Sequence, residues 1–210
     1  MIASRLVVVD WPRPLVTGMM AWVVLLVVGC SPTATPNVAS HESALDAGVI
    51  ADSQLLLELM RQRLLVMHEV ARWKWHHQQP ITDSAREAAL LKQTGQRARE
   101  LGLDEEFAIA FMKAQITAGK QLQQQDMEGW QTQPPSRNEP FADLARELRP
   151  KIDQLNVDLL SALAHLAPHL DDEQVRRRLS ISAAEAWSGV GFSDEVRATA
   201  LKPLLTSGNK

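Results

Sequence analysis

The chain is poor in cysteine, with Cys30 as the only one among 210 residues. An internal disulfide is therefore excluded, and an exported form would carry a reactive free thiol unless the sulfur were modified. Long apolar runs are also scarce: residues 15–29 form one, and it is short for a full membrane span. No segment alternates between apolar and polar residues over a useful length, which argues against β-strands.

The apolar run ends directly at the cysteine, in the order Val27-Val28-Gly29-Cys30, and it follows Arg5 and Arg13. This arrangement resembles a bacterial lipoprotein signal, in which cleavage precedes a cysteine that then receives lipid. We expect residues 1–29 to be the signal peptide and Cys30 to be the lipidation site. The alternative is a single membrane anchor followed by an incidental cysteine.

The rest of the chain divides into a tether and a helical domain. Residues 30–51 are rich in Ser, Thr, Pro and Ala without periodicity, and we interpret them as a flexible tether. Residues 52–210 form the predicted domain, whose first helix is capped by Asp52 or Ser53. Helical patterns cover about 52–78, 84–101, 104–130, 142–168 with an interruption at Pro150, 171–187 and 193–205. The sequence thus predicts an all-α, six-helix domain.

The first predicted helix carries a stripe with a cation at each end. Arg63, Met67, Val70 and Lys74 are spaced i, i+4, i+7 and i+11, so they share one face. The rise from Arg63 to Lys74 is about 16 Å. Two long cationic side chains that lean inward over an apolar floor can bracket a small anion.

A second cationic feature follows the helix break at Pro80. Asp83 or Ser84 offers an N-cap, and Glu87 is a capping-box partner for Ser84. Arg86 then lies in the first turn of the second helix, where the helix dipole favours acids. A cation in this position, near two others, indicates an anionic ligand.

Three positions of the third helix share a stripe at intervals of four residues: Gln115, Gly119 and Gln123. A glycine inside a helix costs roughly 1 kcal/mol relative to alanine. Close approach by a ligand and close approach by another helix both explain Gly119.

Together these residues resemble the all-helical chorismate mutases, in particular their secreted gamma subclass. The resemblance covers about residues 53–160. It rests on Arg63, Lys74-Trp75, Pro80-Ile81, Asp83-Ser84, Arg86-Glu87, Gln115-Ile116, Arg149 and the run Ile152-Asp153-Gln154-Leu155-Asn156. It implies rearrangement of chorismate to prephenate without a cofactor or a covalent intermediate, in a protein that forms homodimers.

The resemblance also implies roles for single residues. Arg63 and Arg149 would bind carboxylates, and Arg86 would extend this cationic wall. Lys74 and Gln123 would donate to the ether oxygen as its bond breaks. A further group would complete the site: Glu87 as acceptor from the substrate hydroxyl, with Asp83 fixing the turn.

Two positions depart from the family pattern. Gly119 stands where the family often has Ser or Thr, so one substrate carboxylate contact is missing or goes to backbone or water. Arg149 directly precedes Pro150, which disfavours helical geometry at Arg149. Arg146 is therefore an alternative for the second carboxylate contact.

Other classes of function have less support. The formal net charge is −3, and −4 without residues 1–29, so a nucleic-acid surface is not expected. The pairs His76-His77 and His165/His169 lack carboxylates or cysteines to complete a metal site. We expect a protein on the periplasmic face of a bacterial membrane, held only by its lipid, or else a soluble periplasmic or secreted one. The alternative function is a non-catalytic helical lipoprotein that binds a small dicarboxylate or a partner protein.

Overall fold

The computed structural model describes residues 38–136 and 140–206, with side chains from residue 47 onwards. This part of the chain is all-α and contains no strand, as predicted. The helices are α1 (Val38–His76), α2 (Ser84–Glu100), α3 (Glu105–Thr132), α4 (Arg149–Leu166), α5 (Glu173–Ala186) and α6 (Asp194–Thr206). A π-helical turn, Leu144–Leu148, precedes α4, and a 3₁₀ turn, Ala167–His169, follows it. The predicted signal peptide and Cys30 lie outside the described residues.

The first helix begins earlier than predicted, at Val38 instead of Asp52 or Ser53. Residues 38–51 contain four alanines, which favour a helix, and no proline that would interrupt it. Val49 packs against the core, and its carbonyl accepts a hydrogen bond from Ser53 Oγ at 2.8 Å. The tether interpretation is therefore wrong for residues 38–51.

Aspartates begin two of the helices that position the site. The Asp83 carboxylate accepts from the Arg86 backbone N–H at 3.1 Å, and Asp104 accepts from the Phe107 N–H at 2.7 Å. Each such cap contributes about 1 kcal/mol to stability. Since Asp83 and not Ser84 is the cap, the predicted capping box with Glu87 does not form.

The junction before α4 differs from the sequence-based expectation. Arg149 is helical, with φ −61° and ψ −48°, although Pro150 follows it. The preceding turn is a wide π turn, and the proline occupies the first turn of α4, where its missing N–H is tolerated. Arg149 is therefore helical although the following proline disfavours that geometry.

Helix α3 is central: it packs against α1, α2 and α6, while α1 also packs against α4 and α5. Two buried polar contacts tie the C-terminal helices to this centre. Trp187 Nε1 donates to the Leu57 carbonyl at 3.2 Å, and Gln115 Nε2 donates to the Ala200 carbonyl at 3.0 Å. The fully buried side chains include Leu56, Met60, Leu64, Phe111, Met112, Leu122, Leu159 and Leu163.

Within residues 38–136 and 140–206, no helix combines the length and the apolar character needed to cross a bilayer.

Candidate active site

A pocket of about 110 Å³ lies where α1, α2, α3 and the start of α4 meet. A second, adjoining space of about 460 Å³ shares Lys74, Asp83, Leu144 and Arg149 with it. The smaller pocket is lined by Arg63, Met67, Val70, Lys74, Ile81, Asp83, Arg86, Glu87, Leu90, Ile116, Lys120, Gln123, Leu144, Arg149 and Ile152.

The lining of the smaller pocket is strongly cationic. Five of its side chains are lysine or arginine and two are acidic, an excess of three positive charges. The remaining walls are mostly apolar, which lowers the local dielectric and strengthens each charge. Such a pocket favours a small molecule that carries more than one negative charge.

Arg63 is the most buried of these cations, with 3% of its surface exposed. Its Nε donates to Asn156 Oδ1 at 2.8 Å, and its Nη1 donates to the Gln115 carbonyl at 2.9 Å. Burial lowers the pKa of Arg63 to about 10, so the group stays charged at neutral pH. A buried charge with neutral acceptors alone is costly, and an anion placed against it offsets that cost.

Lys74 lies at the other end of the same stripe and is also buried. Its Nζ donates to the Ile81 carbonyl at 2.5 Å, which ties the end of α1 to the turn before α2. Burial lowers the pKa of Lys74, while the nearby Asp83 and Glu87 act in the opposite direction. The ammonium is thus fixed in place with donors left for a ligand.

Three further cations of the pocket are each paired with a carboxylate and are more exposed than Arg63. The pairs are Arg86 Nη2 with Asp153 Oδ1 at 2.6 Å, Arg149 Nη2 with Asp83 Oδ2 at 3.4 Å, and Lys120 Nζ with Glu87 Oε2 at 3.1 Å.

Gln123 is a buried amide on the α3 side of the pocket. Its Nε2 donates to the Gly119 carbonyl at 3.1 Å and lies 3.7 Å from Met67 Sδ. Its Oε1 is buried and has no partner among the described residues. A turn of this amide would release Nε2 as a donor.

Gly119 lies behind the pocket rather than in its lining. A Cβ atom at this position would come within 3.0 Å of Met67 Cγ and 3.1 Å of Met67 Sδ, but 3.8 Å from Arg63 Nη1. The glycine therefore lets α1 and α3 approach closely. Of the two explanations that the sequence allows, close approach by a ligand or by another helix, this contact is the second. A direct substrate contact at Gly119 stays a prediction.

The structure brings most of the predicted residues to one place. Those that line the pocket are Arg63, Lys74, Asp83, Arg86, Glu87, Gln123 and Arg149. Arg149 reaches it, whereas Arg146 is exposed and does not line it. Sequence reasoning missed Lys120 and the role of Asn156. Lys120 is three residues before Gln123, so helical spacing places the two side chains on the same side of α3.

Known proteins of similar sequence and fold point to one family. A family model described as chorismate mutase type II matches residues 51–124. The crystal structure of a chorismate mutase from Burkholderia thailandensis is 36% identical, with a TM-score of 0.67, and the match covers 73% of this chain and 98% of that one. This chain belongs to the chorismate mutase family. The same fold occurs in a chorismate mutase from Burkholderia phymatum, at 27% identity over 73% of this chain and 95% of that one, with a TM-score of 0.65.

Curated relatives of this chorismate mutase family member match over a shorter region. A monofunctional chorismate mutase from Enterobacter agglomerans is 33% identical over 120 residues, or 56% of this chain and 65% of that protein. A secreted chorismate mutase from Mycobacterium tuberculosis is 32% identical over 108 residues, or 51% of this chain and 54% of that protein. The chain thus spans less than two thirds of these curated relatives.

Proposed function

We propose that this protein is a chorismate mutase that converts chorismate to prephenate. The observation that carries the proposal is the charge of the pocket. Five cations and two carboxylates line it, a third carboxylate, Asp153, pairs with Arg86, and the most buried cation, Arg63, contacts only neutral acceptors. Chorismate has two carboxylates, which suits this excess of positive charge.

The reaction requires no covalent bond between the protein and the substrate. One C–O bond breaks and one C–C bond forms within the same molecule, so neither a cofactor nor a covalent intermediate is needed. The protein must hold the reactive conformer, donate to the ether oxygen as negative charge develops there, and exclude water. Apolar walls and fixed cationic donors meet these three demands.

We assign the substrate carboxylates to guanidinium groups. Arg63 is the inner clamp, since its Nη2 makes no hydrogen bond to the described residues and is left for a carboxylate oxygen. Arg149 and Arg86 form the outer clamp, and each exchanges its protein carboxylate for one of the substrate. Bidentate guanidinium contacts fix both the position and the orientation of a carboxylate.

We assign the hydrogen bonds to the ether oxygen, whose C–O bond breaks, to Lys74 and Gln123. Lys74 Nζ is held by one carbonyl and directs its remaining donors at the ether oxygen. Gln123 supplies the second donor once its amide turns from the Gly119 carbonyl. Glu87, held by Lys120, accepts a hydrogen bond from the substrate hydroxyl. Asp83 fixes the turn by capping α2.

We further propose that the protein is exported, as a member of the secreted gamma subclass. The supporting facts are the run of residues 15–29 before Cys30 and the secreted chorismate mutases among its relatives, from Mycobacterium tuberculosis and Yersinia pestis. In this proposal residues 1–29 are a signal peptide, Cys30 carries lipid on the periplasmic face, and the protein is a homodimer.

The test is the loss of chorismate absorbance with the purified protein, with prephenate identified by its acid conversion to phenylpyruvate. Lys74→Ala should lower turnover by about 10²–10³-fold, the usual effect of removing one preorganised donor. Lys113→Ala, an exposed lysine of α3 outside the pocket, is the matched control and should retain full turnover.

A folded, helical protein that does not turn over chorismate would overturn the proposal. The alternative would then be a non-catalytic protein that uses the same cations to hold a dicarboxylate.

A further inference from the structure

The guanidinium of Arg63 is oriented by an asparagine from a distant part of the chain. Asn156 on α4 is 5% exposed, and its Oδ1 accepts from Arg63 Nε at 2.8 Å. The Gln115 carbonyl on α3 accepts from Nη1 at 2.9 Å. Two edges of the guanidinium are thereby fixed, while Nη2 makes no hydrogen bond to the described residues and Arg63 lines the pocket.

Neutral partners distinguish Arg63 from the other guanidiniums of the pocket. Arg86 and Arg149 each contact a carboxylate, Asp153 and Asp83 respectively. Asparagine and aspartate have nearly the same shape, and both offer an acceptor oxygen to Nε. An aspartate at position 156 would therefore hold Arg63 equally well while cancelling its charge.

We propose that Asn156 is a positioning residue whose neutrality keeps the charge of Arg63 uncompensated until a substrate carboxylate arrives. Asn156 orients the guanidinium without acting as its counter-ion. The Nδ2 of Asn156 is buried and has no partner among the described residues. The contact with Arg63 is therefore the hydrogen bond that fixes this amide. This inference rests on the proposed function of the pocket.

The experiment compares Asn156→Asp with the wild-type protein. We measure kcat and KM for chorismate, the Kd for prephenate by calorimetry and the Tm. The new carboxylate pairs with Arg63, so we expect the Tm to be unchanged or raised. Substrate and product dianions then compete with an internal counter-ion, and we expect KM and the prephenate Kd to rise at least about tenfold.

A matched control separates a local effect from a change in net charge. Gln154→Glu adds the same charge two residues away on the exposed face of α4. It should alter KM and Kd by less than about twofold, because charges in solvent are strongly screened.

Asn156→Asp that binds prephenate as tightly as the wild type would overturn the proposal. If that variant fails to fold, Asn156→Leu replaces it: a folded Leu variant should bind prephenate more weakly, and wild-type affinity would again overturn the proposal. If neither variant folds, Asn156 is a structural residue and the proposal is wrong.

Failure of the inference is distinct from failure of the proposed function. A wild-type protein without turnover of chorismate contradicts the function itself. Wild-type turnover together with an unaffected Asn156→Asp variant contradicts only the role of Asn156.

Discussion

The pocket has two walls that hold their charged and polar groups in different ways. The inner wall consists of Arg63, Lys74 and Gln123, which are 3%, 9% and 4% exposed and contact neutral oxygen atoms. The outer wall consists of the exposed or half-buried pairs Arg86–Asp153, Arg149–Asp83 and Lys120–Glu87.

This difference indicates separate roles for the two walls. The two cations of the inner wall, Arg63 and Lys74, are fixed by packing and by neutral acceptors, so they do not reorganise much when charge develops on the substrate. Cations of the outer wall must first leave a protein carboxylate, and solvent screens their attraction. We therefore expect the inner wall to contribute most of the rate, and the outer wall to contribute mainly to binding.

The largest difference between the walls should appear when the same substitution is made in each. Arg63→Lys keeps the charge but loses the fork that spans Asn156, the Gln115 carbonyl and a carboxylate, and we expect kcat/KM to fall by about 10²–10³-fold. Arg86→Lys should reduce kcat/KM by about tenfold or less, largely through KM. Both values come from initial rates of chorismate consumption.

Equal losses in these two variants would show that the walls do not differ in kind. A circular dichroism melt of each variant is the control, because Arg63 also links α1 to α3 and α4.

Some of the inner wall could be predicted from sequence because it depends on local periodicity. Arg63 and Lys74 lie on one helix, and helical spacing alone places them on one face. Asn156 could not be assigned in this way, since it is 93 residues from Arg63 and only tertiary packing joins them. Asn156 belongs to the run that carries the family resemblance, but that run indicates no partner for it.

The outer wall, the start of α1 and the turn before α4 were less predictable. The pairing of Lys120 with Glu87 depends on how α2 packs against α3, which helical spacing does not specify. The early start of α1 and the π turn before Pro150 were missed because composition favoured a tether and proline favoured an interruption. In both cases the surrounding helix outweighed the local signal.

Gln123 is the neutral donor of the inner wall, whereas Lys74 is a charged one. A glutamine donates at any pH, so wild-type activity should not decay between pH 6 and 8. Its alkaline limit should instead come from Lys74, because burial lowers the pKa of that ammonium and the charged donor is lost as pH rises.

Gln123→Glu should make activity depend on pH, because the new carboxyl donates only when protonated. Burial would raise its pKa, and activity should then fall about tenfold for each pH unit above that value. Rate profiles of both proteins from pH 5 to 9 test this prediction. A steep wild-type decline between pH 6 and 8 would argue against Gln123 as a donor.

The smallest expected effect distinguishes two neighbouring arginines of the outer wall. Arg149 lines the pocket and pairs with Asp83 at 3.4 Å, whereas Arg146 is exposed and lies in the π turn. Arg149→Ala should raise KM by about tenfold, since it removes one exposed contact to a carboxylate. Arg146→Ala should change KM by less than about twofold, as surface substitutions usually do. Steady-state kinetics of the two variants decide between them, and a larger loss at Arg146 would mean that the outer clamp has been assigned to the wrong residue.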